Sequence, residues 1–360
     1  MTRKPVAGRS PATGASVLPP LYARWIDDLL GVPIEPETHA TCSRCAMAPP
    51  KGTPPDPEAA FFNPRVKCCT FVPLLPNFLV GRILRDRTRA NARGRASIEA
   101  RIAAGIRVTP LGLGRADAQE TPDAGFGQDE AFLCPHFVRE GGGTCSIWRH
   151  RESVCATFFC KMVRGAVGAN FWRALRQLLQ ATEQTLAWQF AEALGIAVTV
   201  DGTAPPTASW GAWAGRERAL YEAAAGLVER LSWHEVLERA GPDVRLHAEH
   251  VRETHARLRA PAVPAGPLRR SPFIATNLGA SAVRLTTYSG MDPLTIPRTL
   301  FDVLAHFDDR TAAYALAAIE AEQGLRIEPE VVGRLADFQV ILSAPTTPDD
   351  APEASPPSHV

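Results

Sequence analysis

Nowhere in the 360 residues is there an uninterrupted apolar run of about 18, the length a helix needs to cross a bilayer, so no membrane-spanning helix is expected. The first twenty residues, MTRKPVAGRSPATGASVLPP, interrupt every apolar stretch with Pro, Gly or Ser. No signal-peptide hydrophobic region can form there, and a soluble, cytoplasmic protein is expected. Charge of one sign is also missing: 39 Lys and Arg face 38 Asp and Glu, which predicts neither a general nucleic-acid binder nor a strongly acidic partner surface. Gly112, Gly114, Gly125 and Gly127 lack the Lys-Ser and helix start that a phosphate loop requires. No Ser-His or paired-carboxylate arrangement can be assigned along the chain, because such groups meet only in space. Cysteine is absent from the last 200 residues.

What is present is therefore concentrated. All eight cysteines, Cys42, Cys45, Cys68, Cys69, Cys134, Cys145, Cys155 and Cys160, fall in the first half. In a reducing compartment such a group suggests metal binding or catalysis rather than disulfides. Cys42-Ser-Arg-Cys45 has the C-x2-C spacing by which two thiolates chelate one ion from a tight turn. Cys134-x10-Cys145-x9-Cys155-x4-Cys160 supplies four soft ligands within 27 residues, with Gly141, Gly142 and Gly143 as a flexible turn. Four thiolates suit tetrahedral zinc or an iron-sulfur cluster; Cys134-Pro135 tilts the choice slightly towards iron-sulfur. The adjacent pair Cys68-Cys69 does not chelate one ion with good geometry, so the division of the eight among sites stays open, and two unequal sites are expected.

The stretch LCPHFVREGGGTCSIWRHRESVCATFFC, with its core CSIW-x-HR-x3-C-x4-C, resembles the signature of the YkgJ-type cysteine-cluster family, whose members are described as zinc- or iron-chelating. Cys42, Cys45, Cys68 and Cys69 match the family's upstream C-x2-C element and Cys-Cys pair, and the resemblance covers about residues 40 to 162. The chain departs from the family pattern in the 22 residues between Cys45 and Cys68, in Glu152-Ser153 where proline is usual, and in Phe159 in place of a proline. Flagellin lysine N-methylases are similar in their cysteine elements. The resemblance thus implies metal binding through all eight cysteines, with a protein- or peptide-modifying enzyme or a structural zinc scaffold as alternatives.

Fourteen of the 32 prolines lie in the first 76 residues, which predicts a loop-rich region needing another staple. The expected fold is mainly α, with an irregular, metal-stapled cysteine-rich domain over 20–165, disordered ends at 1–19 and 346–360, and a helical region over 166–258. Apolar spacing predicts a helix from Asn170, as its cap, to Leu194, another from Arg216 to Leu231, a third opened by the Ser232/Glu235 capping box, and a fourth from Asp243 to Leu258. Four prolines in RAPAVPAGPLRRSP predict a linker over 259–272. Over 273–345 a small α+β module is expected, with strands at Val283–Tyr288 and Val340–Leu342 and helices at Pro297–Phe307, Arg310–Gln323 and Pro329–Phe338. That order resembles peptide-docking winged helices. With four arginines against eight acids over 296–343, the module suits a protein or peptide partner rather than nucleic acid.

Other side chains are secondary candidates. His136 and His150 are placed to join or tune a metal site, and Arg149 and Arg151 flank the second of them. Seven arginines between Arg82 and Arg101 read first as a solvated face. His247, His250 and His255 share one helix but spread too widely around it for a three-histidine site.

Overall fold

A computed structural model describes residues 17–35, 37, 45–47, 62–114, 125–199 and 207–343. These residues form two compact units: Met1–Val163 with Asn170–Ala256, and Arg164–Ala169 with Arg257–Val360. The ends expected to be disordered lie outside the described residues apart from 17–19, and Cys42 lies outside them too. The described chain is mainly helical with small antiparallel sheets, and none of its helices is long and apolar enough to cross a membrane.

The first unit opens with α1 (Pro20–Leu30), whose Leu21, Tyr22, Trp25, Ile26 and Leu29 form one buried stripe. Pro20 starts the helix where a missing N–H costs nothing, and Gly31 ends it in the left-handed conformation at φ 68°. There follow β1 (Leu75–Pro76), α2 (Asn77–Arg85), α3 (Ala92–Ala104), β2 (Val108–Thr109) and β3 (Gly112–Leu113), the strands forming a sheet in the order β1-β3-β2. A hairpin of β4 (Phe137–Val138) and β5 (Thr144–Cys145) leads to the short α4 (Ser153–Thr157). Beyond it lie α5 (Gly165–Ala193), the pair β6 (Val198–Thr199) and β7 (Thr207–Ala208), then α6 (Glu217–Val228), α7 (Trp233–Arg239) and α8 (Gly241–Arg259).

Two devices hold this unit around the cysteine region. Helices α2 and α6 approach so closely at Gly81 that a Cβ there would lie 1.8 Å from the Tyr221 carbonyl oxygen. Around that crossing Val80, Ile83, Leu84, Leu220 and Tyr221 make a buried core, which Ile147 of the cysteine-rich segment joins. The buried Asn77 amide donates to the Pro110 carbonyl at 3.1 Å and the Ala187 carbonyl at 2.8 Å, tying α2 to the β2–β3 turn and to α5.

Helix α5 begins at Gly165, ahead of Asn170, so Asn170 is an exposed position inside the helix that accepts from Arg173 and does not cap it. The capping box of α7 forms as the spacing requires: Ser232 Oγ accepts from the Glu235 N–H while the Glu235 carboxylate accepts from the Ser232 N–H.

In the second unit β8 (Pro267–Arg270), β9 (Ile274–Leu278), β10 (Ala282–Thr286), β11 (Leu294–Pro297), α9 (Arg298–Asp302), β12 (Asp308–Thr311), α10 (Ala312–Gln323), α11 (Pro329–Asp337) and β13 (Ile341–Ser343) follow in order. They give two antiparallel sheets, β11-β10-β9 and β12-β8-β13, over a core that includes Leu268, Val283, Leu285, Phe307, Ile319 and Phe338.

The stretch expected to be a linker thus contains β8, the middle strand of its sheet. Pro267 is tolerated as its first residue, and Leu268 is its one buried position. The helix expected over Pro297–Phe307 is interrupted: α9 ends at Asp302 and a 3₁₀ turn covers Leu304–His306.

Candidate functional site

Seven cysteines, Cys45, Cys68, Cys69, Cys134, Cys145, Cys155 and Cys160, line one cavity of about 250 Å³ in the first unit. None of the seven is in a disulfide. They arrive from separate segments, and backbone bonds join the Cys69, Cys134 and Cys145 segments. The Cys134 N–H donates to the Cys69 carbonyl at 2.8 Å, and the Phe137 N–H to the Cys134 carbonyl at 3.0 Å. Phe137 then sits opposite Cys145 across the β4–β5 hairpin.

The glycine run expected to be a turn closes that hairpin with all three residues at positive φ, 69°, 90° and 81°. Lys67, itself buried and left-handed, donates from Nζ to the carbonyls of Gly142 and Gly143. It clamps the hairpin loop onto the Cys68-Cys69 turn.

Cys155 lies on α4, whose start is capped by a buried Glu152: the carboxylate accepts the N–H of Val154 at 2.5 Å and of Cys155 at 2.8 Å. Arg151 folds back over this turn, donating to the Cys155 carbonyl at 3.0 Å and the Trp148 carbonyl at 3.1 Å, with its guanidinium 3.4 Å from the Trp148 ring centre. Aromatic side chains of Phe71, Phe126, Trp148, Phe158 and Phe159 complete the walls, with Phe126 meeting Phe158 edge to face.

The thiols differ in their surroundings. A hydrogen bond from the Cys69 thiol holds Cys68 below the ordinary cysteine range, and donating that bond pushes Cys69 well above it. Burial pushes Cys134 up to about 12 and also raises Cys155 and Cys160. A bound cation would reverse this preference, since a coordinating thiol loses its proton to the metal's charge.

Among the described residues no three His, Cys, Asp or Glu side chains are grouped so that they could hold a metal ion as they stand. The seven cysteines line the cavity without such a grouping. Any metal centre here would require side chains to reorient towards a common point.

His136 lines the cavity but has both nitrogens engaged. Arg101 can only donate, so Nε2 accepts from it at 3.5 Å, and Nδ1–H donates at 2.8 Å to Ser97 Oγ, which passes its own proton to the Gly94 carbonyl. Burial, then the Arg101 charge, hold His136 down at about 3, hence neutral. His150 is outside the cavity lining; its Nε2 donates to Asp86 at 2.9 Å. Burial opposes ionisation of Asp86, but bonds from Thr88 and His150 prevail and bring it down to about 2.

Most of the arginines between 82 and 101 are committed within the fold. Arg82 and Arg85 pair with Glu229, Arg93 pairs with Glu140, and Arg101 donates to the Gly114 carbonyl. His255 is buried against Phe171, while His250 is exposed beside Glu253, so the α8 histidines do not converge.

A buried carboxylate pair is what the spacing of residues did not reveal. Glu183 on α5 accepts from the Tyr22 hydroxyl, from the Ser153 N–H at 2.8 Å and from Ser153 Oγ at 2.7 Å, while Ser153 also reaches Glu152 at 3.3 Å. Burial, helped by the Glu152 charge, lifts Glu183 to about 8. The pair stands between the thiol cavity and a second one of about 440 Å³, which shares Phe71, Glu152 and Val154 with it. The sequence signal was small: an acid directly before a short helix.

Comparison of the chain with family models, with curated proteins and with solved structures gives no match.

Proposed function

We propose that this chain is a metal-binding cysteine-cluster protein of the YkgJ type, holding an iron-sulfur cluster or zinc between the cysteines of the cavity. One observation carries the reading: seven thiols from distant parts of the chain line the same cavity, away from any disulfide. The donor set is soft and abundant, which suits zinc or iron-sulfur and not a hard cation. A space of about 250 Å³ exceeds what one tetrahedral ion at metal–sulfur distances of about 2.3 Å occupies, which favours iron-sulfur or more than one ion.

Bound there, an iron-sulfur cluster supplies redox or Lewis-acid chemistry, and zinc a structural staple. The chain's own part is to exclude water with the Phe71, Phe126 and Phe158 walls and to hold α4 and the hairpin in register through Glu152, Arg151 and Lys67. A cytoplasmic location, where thiols stay reduced, belongs to the same reading. So does a winged-helix-like role for the second unit in docking a protein or peptide.

A modifying enzyme acting on protein or peptide, similar to a lysine N-methylase, is the second reading. The observation favouring it is the 440 Å³ cavity that shares Glu152 with the thiol cavity and so offers substrate space beside the centre.

Iron, zinc and acid-labile sulfide, measured on protein purified without oxygen and without a metal-binding tag, test the proposal. Iron with matching sulfide and a brown chromophore is the expected result, and zinc without sulfide selects the scaffold form of the same reading. Folded protein with neither metal overturns it.

A further inference from the structure

We propose that the cavity of about 440 Å³ beside the thiols is a binding site for a small organic monocation, a positively charged head group on an apolar body. The proposal goes beyond the metal-binding reading and does not rest on it.

The walls supply the first argument. Helix α5 lines this cavity with Gln180, Glu183, Gln184 and Trp188, the spacing of one helix face. Leu74, Pro76, Leu111 and Val154 from other segments make much of the remainder apolar. Gln180, Gln184 and Leu74 are exposed, Leu74 to 65%, so the cavity opens to solvent past them. Its volume falls within the range of about 300–1,000 Å³ typical of small-molecule sites.

Charge supplies the second. No Lys, Arg or His is among the residues that line this cavity, whereas two buried carboxylates are, Glu152 at 3% and Glu183 at 7% exposure. Lys67, Arg151 and Arg176 line the thiol cavity instead.

Ser153 stands between the two acids, its Oγ 2.7 Å from Glu183 Oε2 and 3.3 Å from Glu152 Oε2. Both Glu152 oxygens accept backbone N–H groups, from Cys155 at Oε1 and from Val154 at Oε2, which suits the ionised member of the pair. When Glu183 carries its proton, Oε2–H donates to Ser153 Oγ and the Ser153 hydroxyl turns to Glu152. The pair then shares one proton and keeps one negative charge, with acceptor positions of Glu152 still open, since a carboxylate offers about four. A buried charge without an opposite one is costly. A single positive charge entering from the cavity answers it, and Trp188 adds an aromatic wall of the kind that attracts cations.

The test uses the whole protein as purified, in isothermal titration calorimetry at neutral pH. The probe is hexylammonium, with hexanol and hexanoate as its neutral and anionic counterparts. Hexylammonium is expected to bind about 10-fold tighter than hexanol or better, and hexanoate not to bind. Gln184→Lys adds a positive charge at the open end, on an exposed position of α5 where the fold tolerates it, and is expected to weaken hexylammonium by about 10-fold with far less effect on hexanol. Glu152→Gln, checked for folding by a thermal melt, is expected to abolish the preference for the cation.

Absence of hexylammonium binding, equal binding of hexanol, binding of hexanoate, or an affinity untouched by Gln184→Lys overturns the proposal, the last because it places the amine elsewhere, on a metal included. Each of these outcomes leaves the metal-binding reading intact, which the metal and sulfide analysis decides separately.

Discussion

Glu183 is a carboxylate that folding removes from water, surrounded by the Tyr22 hydroxyl and the Ser153 N–H and hydroxyl. Burial lifts it from an ordinary 4.5 to about 8, so the folded protein binds this proton more tightly than the unfolded chain does. Its contribution to stability is fully present below about 4.5 and is lost as pH rises towards about 8. Glu183→Gln keeps the shape and removes the ionisation. Thermal melts of the variant are expected to depend less on pH across that interval and to rise relative to wild type at its upper end; an unchanged slope would assign the pH dependence elsewhere. At this scale the cysteines were readable from the sequence because spacing and exclusion from the second half set them apart. Lys67 and Glu183 were not: a lysine beside two cysteines and a glutamate inside a helical stripe carry no local mark of burial, which only the hairpin loop and the Tyr22 helix confer on them.

Two glycines on the packed pair of helices should respond oppositely to the same substitution. At Gly81 an added methyl would meet the Tyr221 carbonyl oxygen at 1.8 Å and the Ala225 Cβ at 2.9 Å, forcing α2 from α6. Gly81→Ala is expected to cost about 1–3 kcal/mol or more, read as a fall in denaturation midpoint. Gly226, inside α6, has only the Arg85 guanidinium nearby at 3.5 Å, so Gly226→Ala should stabilise by roughly 0.5–1 kcal/mol through helix propensity. Equal effects at both positions would contradict the close helix crossing. Elements with long periodicity or a local cap were legible, as with α5, α8 and the Ser232/Glu235 box of α7. Strand β8 was hidden because Pro, Arg and Arg surround its single buried Leu268, and its place comes from pairing with β12 and β13 far along the chain. The early end of α9 was hidden in the same way, since apolar Leu304 and Phe307 continue the stripe beyond Asp302 into a turn.

Among the described residues, the seven cysteines lie in one unit, and the other unit carries two small sheets and the helices α9, α10 and α11. Sequence spacing set the cysteines apart as a group and led to an expectation of two unequal sites, but left open which of them share a site, because residues adjacent in the chain can face different neighbours in space. The central claim is that sulfur from this chain ligates metal. X-ray absorption at the iron or zinc edge of anaerobically purified protein tests it most directly, since it reads the ligand atoms themselves. The account predicts a first shell of sulfur at about 2.3 Å, close to four per metal. A shell dominated by nitrogen or oxygen at about 2.0–2.1 Å would contradict it, placing the metal away from the cysteines.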